Sequence, residues 1–141
     1  GCLRLSSLTL PSALVKISAN TFAGCSSLSA LVLPNALKEI GAGAFSGCAK
    51  LSSLDINGKL EKISTNAFSA CSRLSYVVLP ESVKRIENNA FEKTAVYSLC
   101  RTKPSEWSET ISEKNVYLYS ETVPAAEGNY WRYTDGVPVP W

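Results

Sequence analysis

The sequence predicts a repeat solenoid, mainly β, built from 23-residue coils and closed by a β-rich C-terminal cap. Three observations carry this reading: a fixed period, the residue types that recur at it, and an aromatic tail in which it stops. Phe22, Phe45, Phe68 and Phe91 stand 23 residues apart, as do Ile17, Ile40, Ile63 and Ile86, and Cys2, Cys25, Cys48 and Cys71. Leu28, Leu51 and Leu74 keep the same spacing, and so do Leu8, Leu31, Leu54 and Val77. The period divides residues 1–101 into a half repeat, 1–9, and full repeats 10–32, 33–55, 56–78 and 79–101, leaving 102–141 for the cap. One coil cannot bury its apolar face alone, so coils must stack, with equivalent strands in parallel sheets and equivalent side chains in columns.

Within each unit the pattern L-P-x-x-L-x-x-I-x-x-x-A-F-x-x-C-x-x-L-x-x-L-x orders the local elements. The stretch Leu28-Ser29-Ala30-Leu31-Val32-Leu33 ends in the period-2 alternation of a short strand. Pro11, Pro34 and Pro80 then stop the strand by removing a ladder donor, with Asn57 in the equivalent place after Ile56. A second short extended piece is expected around Leu37-Lys38-Glu39-Ile40, followed by a turn and a short helical or 3₁₀ segment over 41–48. Asn20, Gly43, Asn66 and Asn89 share a column just before the Phe, and these residue types tolerate left-handed backbone best. In the tail, Val116-Tyr117-Leu118-Tyr119-Ser120 reads as a further strand. Trp131-Arg132-Tyr133 and Val137-Pro138-Val139 read as a hairpin around Asp135-Gly136, with Pro138 and Pro140 blunting its edge.

Stacking also aligns charges. Lys16, Glu39, Lys62 and Arg85 form one column and Lys38, Glu61 and Lys84 its neighbour, and both are expected to alternate in sign as ladders between coils. Such pairs contribute a few tenths of a kcal/mol to about 1 kcal/mol each when exposed, and they oppose slippage of register.

Composition narrows the chemistry. Residues 1–101 carry a net charge of +5 and residues 102–141 one of −3, neither of them the concentrated basic face of a nucleic-acid binder. The chain has no histidine, which removes the commonest general base and the commonest zinc ligand together. Nothing resembles Gly-x-Ser-x-Gly, and no catalytic, metal or cofactor site is expected. Four of the five cysteines form a column whose in-register side chains suit neither disulfide torsions nor convergent metal ligation. They read as buried free thiols, and Cys100, at the strand position of Leu31, reads as core too. No apolar run approaches the roughly 18 residues needed to span a bilayer, and no signal peptide opens the chain at Gly1.

The combination of L-P after the strand, I-x-x-x-A-F and a cysteine, repeated over residues 1–101, resembles the BspA-like leucine-rich repeat. The tail from Asn129 to Trp141 is similar to the C-terminal ends of many such proteins. The resemblance implies a leucine-rich-repeat right-handed superhelix in an extracellular or cell-surface protein of bacteria or protozoa. It also implies adhesion to matrix proteins or to other cells, without catalytic residues. The last unit departs from the pattern, with Lys93-Thr94 replacing Gly-Cys, as terminal repeats often do.

Outward positions of the main sheet form two columns, Ser7, Ala30, Ser53, Tyr76, Leu99 and Thr9, Val32, Asp55, Val78, Arg101. The candidate binding face is their C-terminal end, Tyr76, Val78, Leu99 and Arg101 with Asp55, because aromatic and arginine anchors carry most interface energy. The expected function is a non-enzymatic binding or adhesion module contacting an extracellular protein, host or matrix. A purely structural spacer and cap is the alternative. A carbohydrate-binding module is a third, using the aromatic patch Trp107, Trp131, Tyr133 and Trp141, although large aromatics also serve simply to cover a last coil. The chain opens in mid-repeat, so upstream repeats or self-association are expected at an open N-terminal end.

Overall fold

The computed structural model describes residues 1–56, 58–108, 116–120, 128–135 and 137–140. The strands are β1 (Lys16–Ile17), β2 (Ala30–Leu33), β3 (Glu39–Ile40), β4 (Ser53–Ile56), β5 (Lys62–Ile63) and β6 (Tyr76–Leu79). They continue with β7 (Arg85–Ile86), β8 (Ala95–Ser98), β9 (Val116–Tyr119), β10 (Tyr130–Thr134) and β11 (Val137–Pro140). Each coil contributes one short and one longer strand, giving a parallel-strand β-solenoid. The short strands make one parallel sheet, β1-β3-β5-β7, in which Ile17, Ile40, Ile63 and Ile86 pair in register. On the other side β2 pairs with β4, and β4 lies beside β6, which opens the sheet β6-β8-β9-β10-β11.

The apolar columns meet between these walls. Phe22, Phe45, Phe68 and Phe91 stack with ring centroids 5.2, 5.3 and 5.1 Å apart, and the last two pairs are within 6° of parallel. Leu28, Leu51, Leu74, Leu31, Val77 and the isoleucines fill the rest of the core.

Residues 41–48 and their equivalents are turns, where the sequence predicted a helical or 3₁₀ segment, and the hydrogen bonds show why. Ala44 and Ser46 donate within the coil, to Gly41 and Gly43 at 3.2 and 3.0 Å. The amides that alternate with them, Gly43 and Phe45, donate instead to Thr65 and Ala67 of the next coil, at 2.9 and 2.8 Å. A 3₁₀ helix needs consecutive i→i+3 bonds. Here every second donor serves coil stacking, so the corner is a turn and a ladder at once. Asn20, Gly43, Asn66 and Asn89 are left-handed as expected, with φ of 57°, 61°, 57° and 54°. A second such column, Gly24, Gly47 and Ala70, lies just before each cysteine, with φ of 70°, 74° and 56°.

The charge ladder holds for three rungs and then changes. Lys16 and Lys62 flank Glu39 at 3.0 and 3.6 Å, and Lys38 pairs with Glu61 at 3.5 Å. Lys84, the third member of that second column, forms no ion pair among the described residues. The register sets Lys62 opposite Arg85, two like charges, so strict alternation fails there. Glu87 resolves the conflict from outside the column, contacting Lys62 at 3.2 Å and Arg85 at 3.5 Å.

The larger correction is in the final coil. The following strand begins eight residues after Phe22, Phe45 and Phe68, but only four after Phe91, at Ala95. The Gly-Cys corner is missing, and Thr94 crosses the gap with its hydroxyl donating to the Leu74 carbonyl at 2.9 Å. Tyr76 and Val78 therefore pair with Ala95 and Tyr97, so Leu99 and Arg101 do not continue the outward columns. Cys100 falls beyond β8 and is only half-buried, and Cys2, on the first coil, is exposed. Cys25, Cys48 and Cys71 are buried free thiols.

The tail extends the sheet as the sequence predicts: β9 adds parallel to β8, β10 parallel to β9, and β11 returns antiparallel after Asp135 (φ 52°). Trp107 bridges to Ile86 and donates its indole N–H to the Val83 carbonyl at 3.1 Å, covering the far side of the last coil.

Candidate binding groove on the sheet face

Alternation along β4 and β6 turns Leu54, Ile56, Val77 and Leu79 inward and presents Ser53, Asp55, Tyr76 and Val78 outward. The β10–β11 hairpin brings Tyr133 and Pro138 to the same place. Together they line a groove of about 410 Å³, whose lining also includes Pro80 and Leu99. Tyr76 and Tyr133 are 46% and 47% exposed, enough of each ring for a partner to cover.

Four of the five residues predicted for the binding face thus come together: Asp55, Tyr76, Val78 and Leu99. Leu99 arrives by a different route from the one its spacing suggested. It follows the last ladder pair, Leu79 with Ser98, and so stands beside Pro80. Arg101 is exposed but does not line the groove, because the shortened coil gives its place beside Val78 to Tyr97.

The aromatic patch does not hold together as a surface. Trp131 is buried, its N–H donating to the Ser98 carbonyl at 2.9 Å, and Trp107 is buried against the last coil. Trp141 lies outside the described residues. Among the described residues of that patch only Tyr133 is exposed, and it belongs to the groove. The buried rings instead brace its wall: Trp131 contacts Tyr133, Tyr97 and Tyr119 at 4.9, 5.3 and 5.3 Å. Tyr97 stacks on Tyr117 at 4.9 Å and meets Tyr76 edge-on at 6.0 Å. Burial raises the Tyr133 hydroxyl above the usual tyrosine range, with smaller contributions from Tyr119 and Tyr76. Sequence reasoning missed Pro80, Ser53 and Pro138 as lining residues. The Asp135-Gly136 turn was a signal for the hairpin that carries Pro138, but not for where the hairpin would lie.

The buried thiols Cys48 and Cys71 offer no competing chemistry. Cys48 and Cys71 donate their thiols to the Phe22 and Phe45 carbonyls of the preceding coil, at 3.4 and 3.3 Å. Burial, and then the neighbouring thiol, pushes Cys48 up to about 11 and Cys71 up to about 12. Thiols held protonated are poor nucleophiles and poor ligands. Among the described residues no group of three His, Cys, Asp or Glu is placed to hold a metal, and no helix is long and apolar enough to cross a membrane.

Comparison with known proteins agrees with this architecture. A search of curated proteins finds no match. Among solved structures, the crystal structure of the T. pallidum leucine rich repeat protein is similar, with a TM-score of 0.66 and 26% sequence identity. The similarity covers 79% of this chain but 56% of that one, so the chain matches little more than half of the solved protein. The model of the BspA type leucine rich repeat region, in six copies, matches residues 1–115. With the Phe, Ile and Cys columns stacked in register over the coils, the chain belongs to the BspA-type leucine-rich repeat family.

Proposed function

We propose that this chain is a non-enzymatic binding module of a bacterial cell-surface or secreted protein, and that it holds an extracellular protein partner in the groove on its sheet face. The observation that supports this most is the meeting of two half-exposed tyrosines with Val78, Leu99 and Pro138 around one groove. Rigid aromatic side chains on strands cover much partner surface at little entropic cost, which is how interface anchors work. The family contributes the rest, since solenoids of this kind bind through extended faces. A carbohydrate platform is less well supported, because Trp107 and Trp131 are buried and offer no exposed ring.

The test is a surface-plasmon-resonance screen of the folded chain against a panel of extracellular-matrix proteins and glycans. The hits are then measured with Tyr76→Ala and Leu99→Ala. At least tenfold weaker binding by both variants, with unchanged unfolding midpoints, is the expected outcome. Binding that survives both substitutions places the partner elsewhere. A panel with no hits favours the spacer-and-cap reading.

A further inference from the structure

The outward columns of the main sheet, as the structure registers them, run Ala30, Ser53, Tyr76, Ala95 and Val32, Asp55, Val78, Tyr97. Asp55 is the one charge in them. The repeats around it are otherwise basic overall, with a net +5 over residues 1–101; Glu39, Glu61 and Glu87 are matched by lysine or arginine, whereas Glu81 and Glu92 lie outside the sheet columns. Asp55 has no ion pair among the described residues. It stands on the floor of the groove, and the rest of the lining there is uncharged. Two tyrosine rings face the same space, and tyrosine rings present a negative π face.

We infer that the groove takes a cationic side chain, arginine or lysine, carried on an extended apolar segment of the protein partner, with Asp55 as its counter-ion and Tyr76 and Tyr133 as its aromatic walls. The inference rests on the binding reading above and adds the chemistry of the bound residue to it. Charge and surface are both complementary to such a residue. A lone carboxylate in an aromatic groove attracts a cation through both Coulomb and cation–π terms, and those terms strengthen as the partner displaces water. The apolar lining, Val78, Leu99, Pro80 and Pro138, matches aliphatic or proline neighbours of that cation. A neutral glycan would leave the carboxylate without a charge partner. An acidic peptide would meet repulsion.

An array of synthetic octapeptides tests this directly, each with one central position set to Arg, Lys, Gln or Glu within a fixed frame of valine and proline. Binding to the intact chain is read by fluorescence polarisation, and the site by NMR shifts of the Tyr76 and Tyr133 ring protons. Arg and Lys peptides should bind at least tenfold more tightly than Gln peptides, Glu peptides should bind weakest, and the preference should fall with added salt. Asp55→Asn should bring the Arg and Gln peptides within about twofold of one another with no change in unfolding midpoint, and Tyr76→Ala should weaken all of them. Equal binding of Arg and Gln peptides, a preference that survives Asp55→Asn, shifts confined to another surface, or no binding by any peptide would overturn the inference. If partner binding responds to Tyr76→Ala but not to Asp55→Asn, the groove remains the docking site and only the cationic anchor is wrong.

Discussion

Ala70 holds a left-handed backbone, φ 56°, at a position where the two preceding coils have Gly24 and Gly47. A side chain in that region costs about 1–2 kcal/mol, and glycine gives back roughly 0.4–1 kcal/mol of it through its freer unfolded chain. Ala70→Gly is therefore expected to stabilise the protein by about 0.5–1 kcal/mol. It should appear as a higher urea midpoint at unchanged m-value, and a lower midpoint would contradict this account of the corner. The thiols separate by position in the stack. Cys2 should react with maleimide in the native protein, while Cys25, Cys48 and Cys71 should wait for unfolding, as peptide mass mapping would show. The raised pKa values of Cys48 and Cys71 also fix the sign of a pH effect. Between the ordinary thiol value near 9 and the folded values of about 11 and 12, the unfolded chain releases protons that the folded chain keeps. The thiol contribution is therefore intact below pH 9 and fades as pH rises through that window. Cys48→Ala should flatten the decline, and an equally steep loss in that variant would assign it to other groups.

At the scale of the coil, Glu87 links three neighbours among the described residues. Besides Lys62 and Arg85, it accepts from the Thr65 amide at 3.2 Å and the Thr65 hydroxyl at 3.3 Å. Partial burial works to raise its carboxyl, but Lys62 and the Thr65 amide outweigh this and hold it below the ordinary value. A depressed folded pKa gives stability that is present above the unfolded value, near 4.5, and is lost as pH falls through the folded one. Glu87→Gln is expected to cost about 1–2 kcal/mol at pH 7, since it weakens charge-assisted bonds and leaves Lys62 beside Arg85. The deficit should shrink below pH 4 and in high salt, and a deficit that ignores both would mean that packing, not charge, is involved. The same coil shows how far the sequence could be read. Columns of Phe and Ile were legible because every full repeat supplies an identical residue at an identical spacing, as all but the last do for Cys, and stacking requires nothing more. Glu87 was invisible as a bridge because it sits outside the charged column, one residue beyond the end of β7. The four-residue deletion after Phe91 was legible only in part: the loss of Gly-Cys could be seen, but counting on by 23 still placed Leu99 and Arg101 in the wrong columns. Groove residues inherited that error in proportion to their distance from the regular repeats. Asp55, Tyr76 and Val78 were found from spacing, whereas Tyr133 and Pro138 depend on where a hairpin docks.

Over the whole molecule, the cap closes the core through Trp107, Val116 and Leu118, and it completes the groove, on the outward face of the sheet, through Trp131. Its ring is fully buried, its N–H satisfies the Ser98 carbonyl at the end of β8, and it contacts Tyr133 on the groove wall at 4.9 Å. Trp131→Ala is expected to cost about 3–5 kcal/mol, by cavity formation and the loss of a buried bond. A solenoid is quasi-one-dimensional, each coil touching only its neighbours, so that loss should not spread evenly. Amide hydrogen exchange should accelerate strongly in β8, β9 and β10, where the aromatic contacts lie, and much less in β3 and β5, which are held by the Ile and Phe columns of their own coils. Binding at the groove should fall at the same time, even though Asp55, Tyr76 and Val78 are untouched, because Tyr133 and Pro138 would no longer be held against the sheet. Uniform acceleration over all strands would show that the chain unfolds as one cooperative unit and that the cap stabilises every coil alike. Selective exchange in the cap with full retention of binding would instead show that the hairpin is not part of the site and that the partner rests on β4 and β6 alone.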